Sequence, residues 1–527
     1  MSSASTSLQN DSQYTVISRK QPSSATSHSS RITDKFSLSP DPKTWGVDLD
    51  DREQDHGRDY DEREGLFSTR ALSNVGCLLV LIVAVLALFV GYPIYTYVNG
   101  KMISRGYSSQ SGRNASGQFP EIPGKRGLID ADTPADAYTF TSIHHNTTQL
   151  QLVFSDEFDQ DGRTFYPGDD PYWEAVDLHY WGTNNMEWYD PEGLTTENGS
   201  LKITLSAKPN HDLDYTSGMM STWNKFCFTG GLVVANIMLP GRSDITGLWP
   251  GVWSMGNLAE NWIFLKEGQD MVQLTTEWCT CPGEPHPGPI HSDGSYVGRS
   301  APEIDMIEAQ VGSNFRLPGS STLVGEVSQS GQWAPFNYKY EWFDTAENFI
   351  INNPDTTVLN SYKGGALQQA TSCISKTNQA CYSNMPNPCF TLYGFEYKPG
   401  FDDAYITWLN DGKQVCTVMA SGLTADSRVE IASRPVSQEP MYIIANLGMS
   451  TNFGDVDLEN LVFPANMYVD YIRVYQHPDH INIGCDPEEF PTKAYIEEYI
   501  EAYTQPNLTT WEEYGKPWPK NRLVDQC

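Results

Sequence analysis

Between Val75 and Val98 the chain reads VGCLLVLIVAVLALFVGYPIYTYV, 24 residues without a single charge. At about 1.5 Å of rise per residue, such a helix crosses a hydrocarbon layer of roughly 30 Å, and a core helix of this length would carry a polar face. Tyr92, Tyr95 and Tyr97 gather at one end, where amphipathic rings favour the membrane interface. The 74 residues before the stretch are too many for a cleaved signal peptide. It therefore reads as an uncleaved signal-anchor, one transmembrane helix that puts its two flanks in different compartments.

The flanks differ in kind. Residues 1–74 are Ser-, Thr-, Asp- and Gln-rich with no apolar periodicity, and read as a disordered tail. Arg58, Arg63 and Arg70 on one side are matched by Lys101, Arg105 and Arg113 on the other, so positive charge gives no orientation. Sequons at Asn114, Asn146, Asn198 and Asn507 all follow the anchor, although Asn10 precedes it. Nine of the ten cysteines follow it too, as an oxidising compartment favours. The expectation is a single-pass type II protein of the secretory pathway or plasma membrane, its tail cytosolic and its folded mass lumenal or extracellular.

After a Ser/Gly/Pro-rich stalk over 99–135, short β-rich runs alternate with turn signals. They include Gln149–Phe154, Leu201–Leu205, Gly231–Met238, Ala404–Leu409 with its Asn410–Asp411–Gly412 turn, Met441–Leu447 and Tyr468–Tyr475. Only Thr492–Tyr503 reads as helix. The pattern predicts an all-β sandwich or jelly roll over 136–480, followed by an extension over 481–527. The net charge of −32 excludes a nucleic-acid surface, which needs clustered Lys and Arg; a neutral polymer or small molecule stays open as partner.

Chemistry concentrates in Ala301–Gln310, APEIDMIEAQ. In a regular strand Glu303 and Asp305 share a face and Glu308 turns away. One bulged residue at Met306 or Ile307 returns Glu308 to the same face, and bulges recur beside active sites. Three acids on one wall suit retaining glycoside chemistry, in which one carboxylate attacks the anomeric carbon and a protonated partner serves the leaving oxygen. The plain alternative is an exposed, charged strand face. Trp249 and Trp253 in GLWPGVWSMGN share a strand face by parity, as sugar-stacking indoles would, or else both are core.

With these motifs the chain resembles glycoside hydrolase family 16, the concanavalin- and laminarinase-like jelly rolls. LVFSDEFD, WPGVW, EIDMIE, LYGFEYKPG and YVDYIRVYQ follow that family's order. More narrowly, it is similar to the fungal membrane-anchored β-glucan synthesis-associated proteins of cell-wall β-1,6-glucan assembly. The resemblance implies Glu303 as nucleophile, Glu308 as general acid/base, Asp305 as the group orienting the nucleophile, and Trp249 and Trp253 as sugar subsites. It implies a β-glucan partner, no cofactor and no placed metal. Two departures stand out. Thr391 occupies a position where laminarinases of the family carry a His beside the reacting sugar, and Leu258–Trp278 is unlike the corresponding segment of the fungal proteins.

The nine cysteines after the anchor allow at most four bridges, with Cys485–Cys527 the expected pair. Cys279 and Cys281 with His286 and His291 do not have zinc-finger spacing and read as disulfide candidates and surface histidines. The leading reading is a retaining β-glucan hydrolase or transglycosylase, with transfer favoured over hydrolysis. Its rivals are a non-catalytic glucan-binding scaffold, and a trafficking factor acting through the tail.

Overall fold

A computed structural model describes residues 127–259, 280–299, 301–316, 319–333, 339–364, 369–429, 432–505 and short stretches from there to 527. The tail, the 75–98 segment, most of the stalk, Asn114, Asn507 and Cys279 lie outside the described residues. Among the described residues, no helix is long and apolar enough to cross a membrane.

The described residues are built mainly of antiparallel strands. The first sheet has ten strands, and its spine runs Thr139–Thr141, Gln149–Asp156, Ala465–Gln476, Gly231–Met238, Thr391–Lys398, Tyr405–Asn410, Lys413–Met419, Phe349–Ile351. The second has eight, in the order Thr357–Leu359, Gln369–Lys376, Val324–Trp333, Glu303–Gly312, Trp249–Gly256, Met441–Gly448, Met219–Ser221, Glu174–Ala175. Neighbours in space are far apart in sequence, as in a jelly roll. The sheets pack face to face through one apolar core, to which Val233, Phe395 and Val474 come from the first and Val252, Ile304 and Ile443 from the second.

Local sequence explains the strands. Leu201–Leu205 alternates strictly between buried and half-buried residues, the period-2 signature of a sheet with one face inward. Asp411 and Gly412 both have positive φ, and so close the Tyr405–Asn410 hairpin with the turn that Asn-Asp-Gly favours. The expected helix is present as two short pieces, Lys493–Glu498 and Ile500–Thr504.

The cysteine pairing expected for the C-terminal extension is overturned. Cys485 is bonded to Cys227 and Cys527 to Cys281, beside Cys373–Cys416 and Cys381–Cys389. The cause is a backbone fold-back after Gln476. The Thr229 N–H donates to the Asn482 carbonyl and the Gly484 N–H to the Cys227 carbonyl, which lays 482–485 along 227–229. Cys281, in turn, donates its N–H to the Lys520 carbonyl at 2.9 Å, close to the partner thiol. The two helices pack Tyr495, Ile496, Tyr499, Ala502 and Tyr503 against Leu258 and Trp223. Arg299, fully buried, pairs with Glu439 at 3.0 Å and donates to the carbonyls of Gly288, Phe490 and Pro491. The extension thus grips the connection between Trp249–Gly256 and Glu303–Gly312.

Candidate active site

Glu303, Asp305 and Glu308 stand on a central strand of the second sheet. Toward the preceding strand, Val252 lies opposite Ile307 and Trp253 opposite Asp305, so Met306 has no counterpart. Toward the following strand, Asp305 faces Ser330 and Glu308 faces Ser328, which leaves Met306 and Ile307 together across from Gln329. This is a bulge at the expected place, and it flips the parity of everything after it. Ile304, Met306, Ile307 and Ala309 all enter the core, while the three acids line a cleft of about 500 Å³ on the opposite face. Buried Gln329 secures the bulge by donating to the carbonyls of Met306 at 2.9 Å and Leu409 at 3.1 Å. The Trp408 indole donates to the Asp305 carbonyl at 2.9 Å. Regular pleating would have driven Glu308 into the apolar core.

The three acids have separate environments. Asp305 is 1% exposed and accepts from the Ser330 hydroxyl at 2.5 Å and Gln332 Nε2 at 3.3 Å. Gln332 also donates to Glu303 Oε1 at 3.0 Å, so a single amide bridges the two carboxyls. Burial pushes Asp305 up to about 6, against these hydrogen bonds. Glu308 is raised well above the ordinary range, by burial first and then by the charge of Asp305, against hydrogen bonds to Trp249 and Ser330. Burial thus favours the protonated form of both carboxyls, and the charge of Asp305 adds to the push on Glu308, the direction a general acid needs.

Trp249 and Trp253 both line the cleft, as parity predicts. Trp249 stacks flat on Phe453 with centroids 4.0 Å apart. Trp253 donates its indole N–H to Asn446 Oδ1 at 3.0 Å, and Asn446 Nδ2 donates to the Tyr189 hydroxyl at 3.0 Å. Asn185 Nδ2 reaches the same hydroxyl at 3.1 Å and Glu187 Oε1 at 2.6 Å. Burial raises the Glu187 carboxyl to about 7. Gly251 lies between the two tryptophans, where a Cβ would sit 2.6 Å from Asn446 Oδ1, so only glycine lets the amide close in.

Several of these residues are not evident from sequence motifs: Tyr180, Asn185, Tyr189, Gln332, Asn446 and Phe453 all line the cleft. Burial, then the charges of Glu303, Asp305 and Glu308, keep the Tyr180 phenol un-ionised. One signal was available: Asn446 interrupts the apolar run MYIIANLG, and a lone amide in a buried strand needs a polar reason to be there. Thr391 corrects the expectation attached to it. It belongs to the first sheet, donates its hydroxyl to Asp411 Oδ1 at 2.8 Å, and is not among the cleft-lining residues. A histidine missing there is not a histidine missing beside the acids. Asn146 and Asn198 are exposed, each in a loop between strands. Cys281 is taken up by its disulfide, and among the described residues no cluster of His, Cys, Asp and Glu is arranged to hold a metal.

A family model described as "Beta-glucan synthesis-associated protein SKN1/KRE6/Sbg1" matches residues 33–264 and 271–527. Only residues 265–270 fall between the two matches, so most of Leu258–Trp278, expected to depart from the fungal pattern, is matched. The chain is 36% identical over 520 residues to the beta-glucan synthesis-associated protein KRE6 of Saccharomyces cerevisiae, covering 91% of this chain and 69% of that protein. It is 31% identical over 333 residues to a beta-glucanase of Rhodothermus marinus, covering 62% of this chain and 85% of that one. Among solved structures, the endo-beta-1,3-glucanase of Pyrococcus furiosus aligns at 21% identity with a TM-score of 0.40, covering 64% of this chain and 98% of that one.

Proposed function

The chain belongs to the SKN1/KRE6/Sbg1 family of β-glucan synthesis-associated proteins, and from that premise we propose that it remodels β-glucan by a retaining double displacement. Glu303 attacks the anomeric carbon and forms a glycosyl ester as the C1–O glycosidic bond breaks. Glu308 gives its proton to the departing oxygen. A hydroxyl of water or of another sugar then attacks C1, the ester bond to Glu303 breaks, and the incoming proton passes to Glu308. Asp305, which shares the Gln332 amide with Glu303, keeps the nucleophile aimed. Trp249 and Trp253 stack against pyranose rings, and the un-ionised Tyr180 phenol donates a hydrogen bond within the cleft.

The observation that carries this reading is the bulge at Met306–Ile307, which sends three acids into a groove beside two indoles at the cost of regular strand pairing. The 31% identity to a beta-glucanase supports the substrate class. The disulfides suit an oxidising compartment, and we assign the fold to the lumenal or extracellular side of a secretory membrane, in assembly of cell-wall β-1,6-glucan.

The test is covalent trapping. A 2-deoxy-2-fluoro β-gluco-oligosaccharide should add its glycosyl mass to the peptide carrying Glu303, and Glu303→Gln should abolish the adduct with the melting temperature unchanged. A chain that binds glucan but gives neither adduct nor redistribution of chain length is a scaffold, and the proposal fails.

A further inference from the structure

Glu187 takes no part in the chemistry above, is fully buried, and is not among the cleft-lining residues. It stands on Glu187–Tyr189, in a small third sheet with Leu178–His179 and Tyr215–Ser217. A carboxyl removed from water needs donors at its oxygens, and here each oxygen is met from a different direction. Oε1 accepts from Asn185 Nδ2 at 2.6 Å, and Oε2 accepts from the backbone N–H of Met449 at 3.0 Å. Both routes lead to an indole.

The first route runs through side chains. The Thr183 hydroxyl donates to Asn185 Oδ1 at 2.6 Å, which turns the amide N–H groups toward Glu187 and the Tyr189 hydroxyl. That hydroxyl also accepts from Asn446 Nδ2, which leaves Asn446 Oδ1 to receive the Trp253 indole N–H. The second route runs through the backbone. Met449 leads into a turn in which the Ser450 hydroxyl donates to the Thr183 carbonyl at 2.6 Å and the Phe453 N–H to the Ser450 carbonyl at 3.2 Å. Phe453 is the ring on which Trp249 lies flat. The routes converge at Gly448, the strand partner of Trp249. A Cβ there would stand 3.0 Å from both Asn185 Nδ2 and the Tyr189 hydroxyl, and 3.2 Å from Glu187 Oε1. The backbone beside Trp249 is thus pressed against the network, with no room for a side chain between.

We infer that Glu187 is a positioning residue for glucan binding: one carboxylate sets both indoles, Trp253 through Asn185, Tyr189 and Asn446, and Trp249 through Met449 and Phe453. The inference rests on the assignment of Trp249 and Trp253 as sugar subsites made above and deepens it. The strand fixes where each tryptophan starts, and its side-chain partners fix the tilt of the ring. A ring already held at one tilt binds a pyranose face more tightly than a mobile one, because it has no rotamer freedom left to lose. The choice of an acid follows from the donors. N–H groups approach Glu187 on both sides, and only a carboxylate offers an acceptor to each. A glutamine of the same shape turns its own N–H groups on one of them, and that route loses its anchor.

Two measurements on the full chain separate positioning from chemistry: the affinity for a β-1,3-gluco-oligosaccharide by titration calorimetry, and the rate of trapping at Glu303 at saturating 2-deoxy-2-fluoro reagent. Glu187→Gln should weaken binding about tenfold, the worth of one well-held stack, while the saturated trapping rate stays within about twofold. Tyr189→Phe cuts the Trp253 route alone and should weaken binding about threefold. The double variant Asn185→Asp, Glu187→Gln exchanges carboxylate and amide, keeps an acceptor opposite Met449, and should recover most of the lost affinity. A carboxyl that only holds the fold would lower affinity, trapping rate and melting temperature together. That outcome, unchanged affinity in both single variants, or no recovery in the exchange overturns the inference. Should Glu187→Gln fail to fold, Tyr189→Phe and the exchange still decide. A parent chain that binds the oligosaccharide without forming an adduct removes the retaining mechanism, and the inference then stands or falls on the affinities alone. A parent chain that binds none removes the inference.

Discussion

From Gln149 to Gln476 the chain is held by strand pairing and apolar burial; from Ile481 on it is held by point attachments. The sandwich buries Val233, Phe395, Ile304 and their neighbours along continuous rows, so no single contact decides its stability. The extension has two short helices and two disulfides, and its Phe490 and Pro491 carbonyls accept from the Arg299 guanidinium, each attachment landing near the connection that precedes Glu303. Distributed burial tolerates the loss of a member, whereas point attachment does not. The acids stand where the two kinds of support meet, since Arg299 lies only a few residues ahead of Glu303.

The sharpest way to break the comparison is Arg299→Ala. It leaves Glu439 buried without its cation and four carbonyl or carboxylate contacts unmade, and should cost about 3–5 kcal/mol in denaturant unfolding. Activity should fall with stability; an Arg299→Ala protein that melts normally and keeps full activity would make the extension a passenger. Next in size is the Cys227→Ser, Cys485→Ser double variant. Removing a bridge that closes a 258-residue separation should cost about 2–5 kcal/mol, and hydrogen exchange should rise first in the extension rather than in the sandwich.

The smallest effect divides the sandwich against itself. Asp305 has its proton affinity raised from 3.8 to about 6, so the folded state binds more protons than the unfolded state between those values, and stability drops as pH rises through them. Asp305→Asn should therefore be more stable than the parent at pH 7, by about 2–3 kcal/mol at most, with the gain gone by pH 4. Thermal melts at the two pH values read this directly. A variant less stable at pH 7 would mean that the hydrogen bonds from Ser330 and Gln332 outweigh the buried charge.

What could be read from sequence follows the same division. The sandwich strands are local patterns: Leu201–Leu205 and Gly231–Met238 match the expected limits to the residue. Even the bulge was accessible, because three acids on one wall demand an extra residue between Asp305 and Glu308. The cysteine partners were not accessible, since Cys485 meets Cys227 only through the fold-back of 482–485 along 227–229, and nothing local encodes that. The amide and phenol network of Asn185, Tyr189 and Asn446 joins segments more than 250 residues apart. Composition shows such residues as ordinary polar substitutions, and only the register brings them beneath Trp253.

Ala465–Gln476 lies in the interior of the first sheet, paired with Gln149–Asp156 and Leu201–Leu205 along one side and with Gly231–Met238 along the other. Among the described residues it is also the last strand in chain order. Until it arrives, earlier strands on both sides wait with open backbone donors and acceptors, the condition that invites wrong partners between nascent chains. The strand is thus a keystone: a chain interrupted before residue 465 has all three acids and both indoles in hand, and no sheet able to shut behind them.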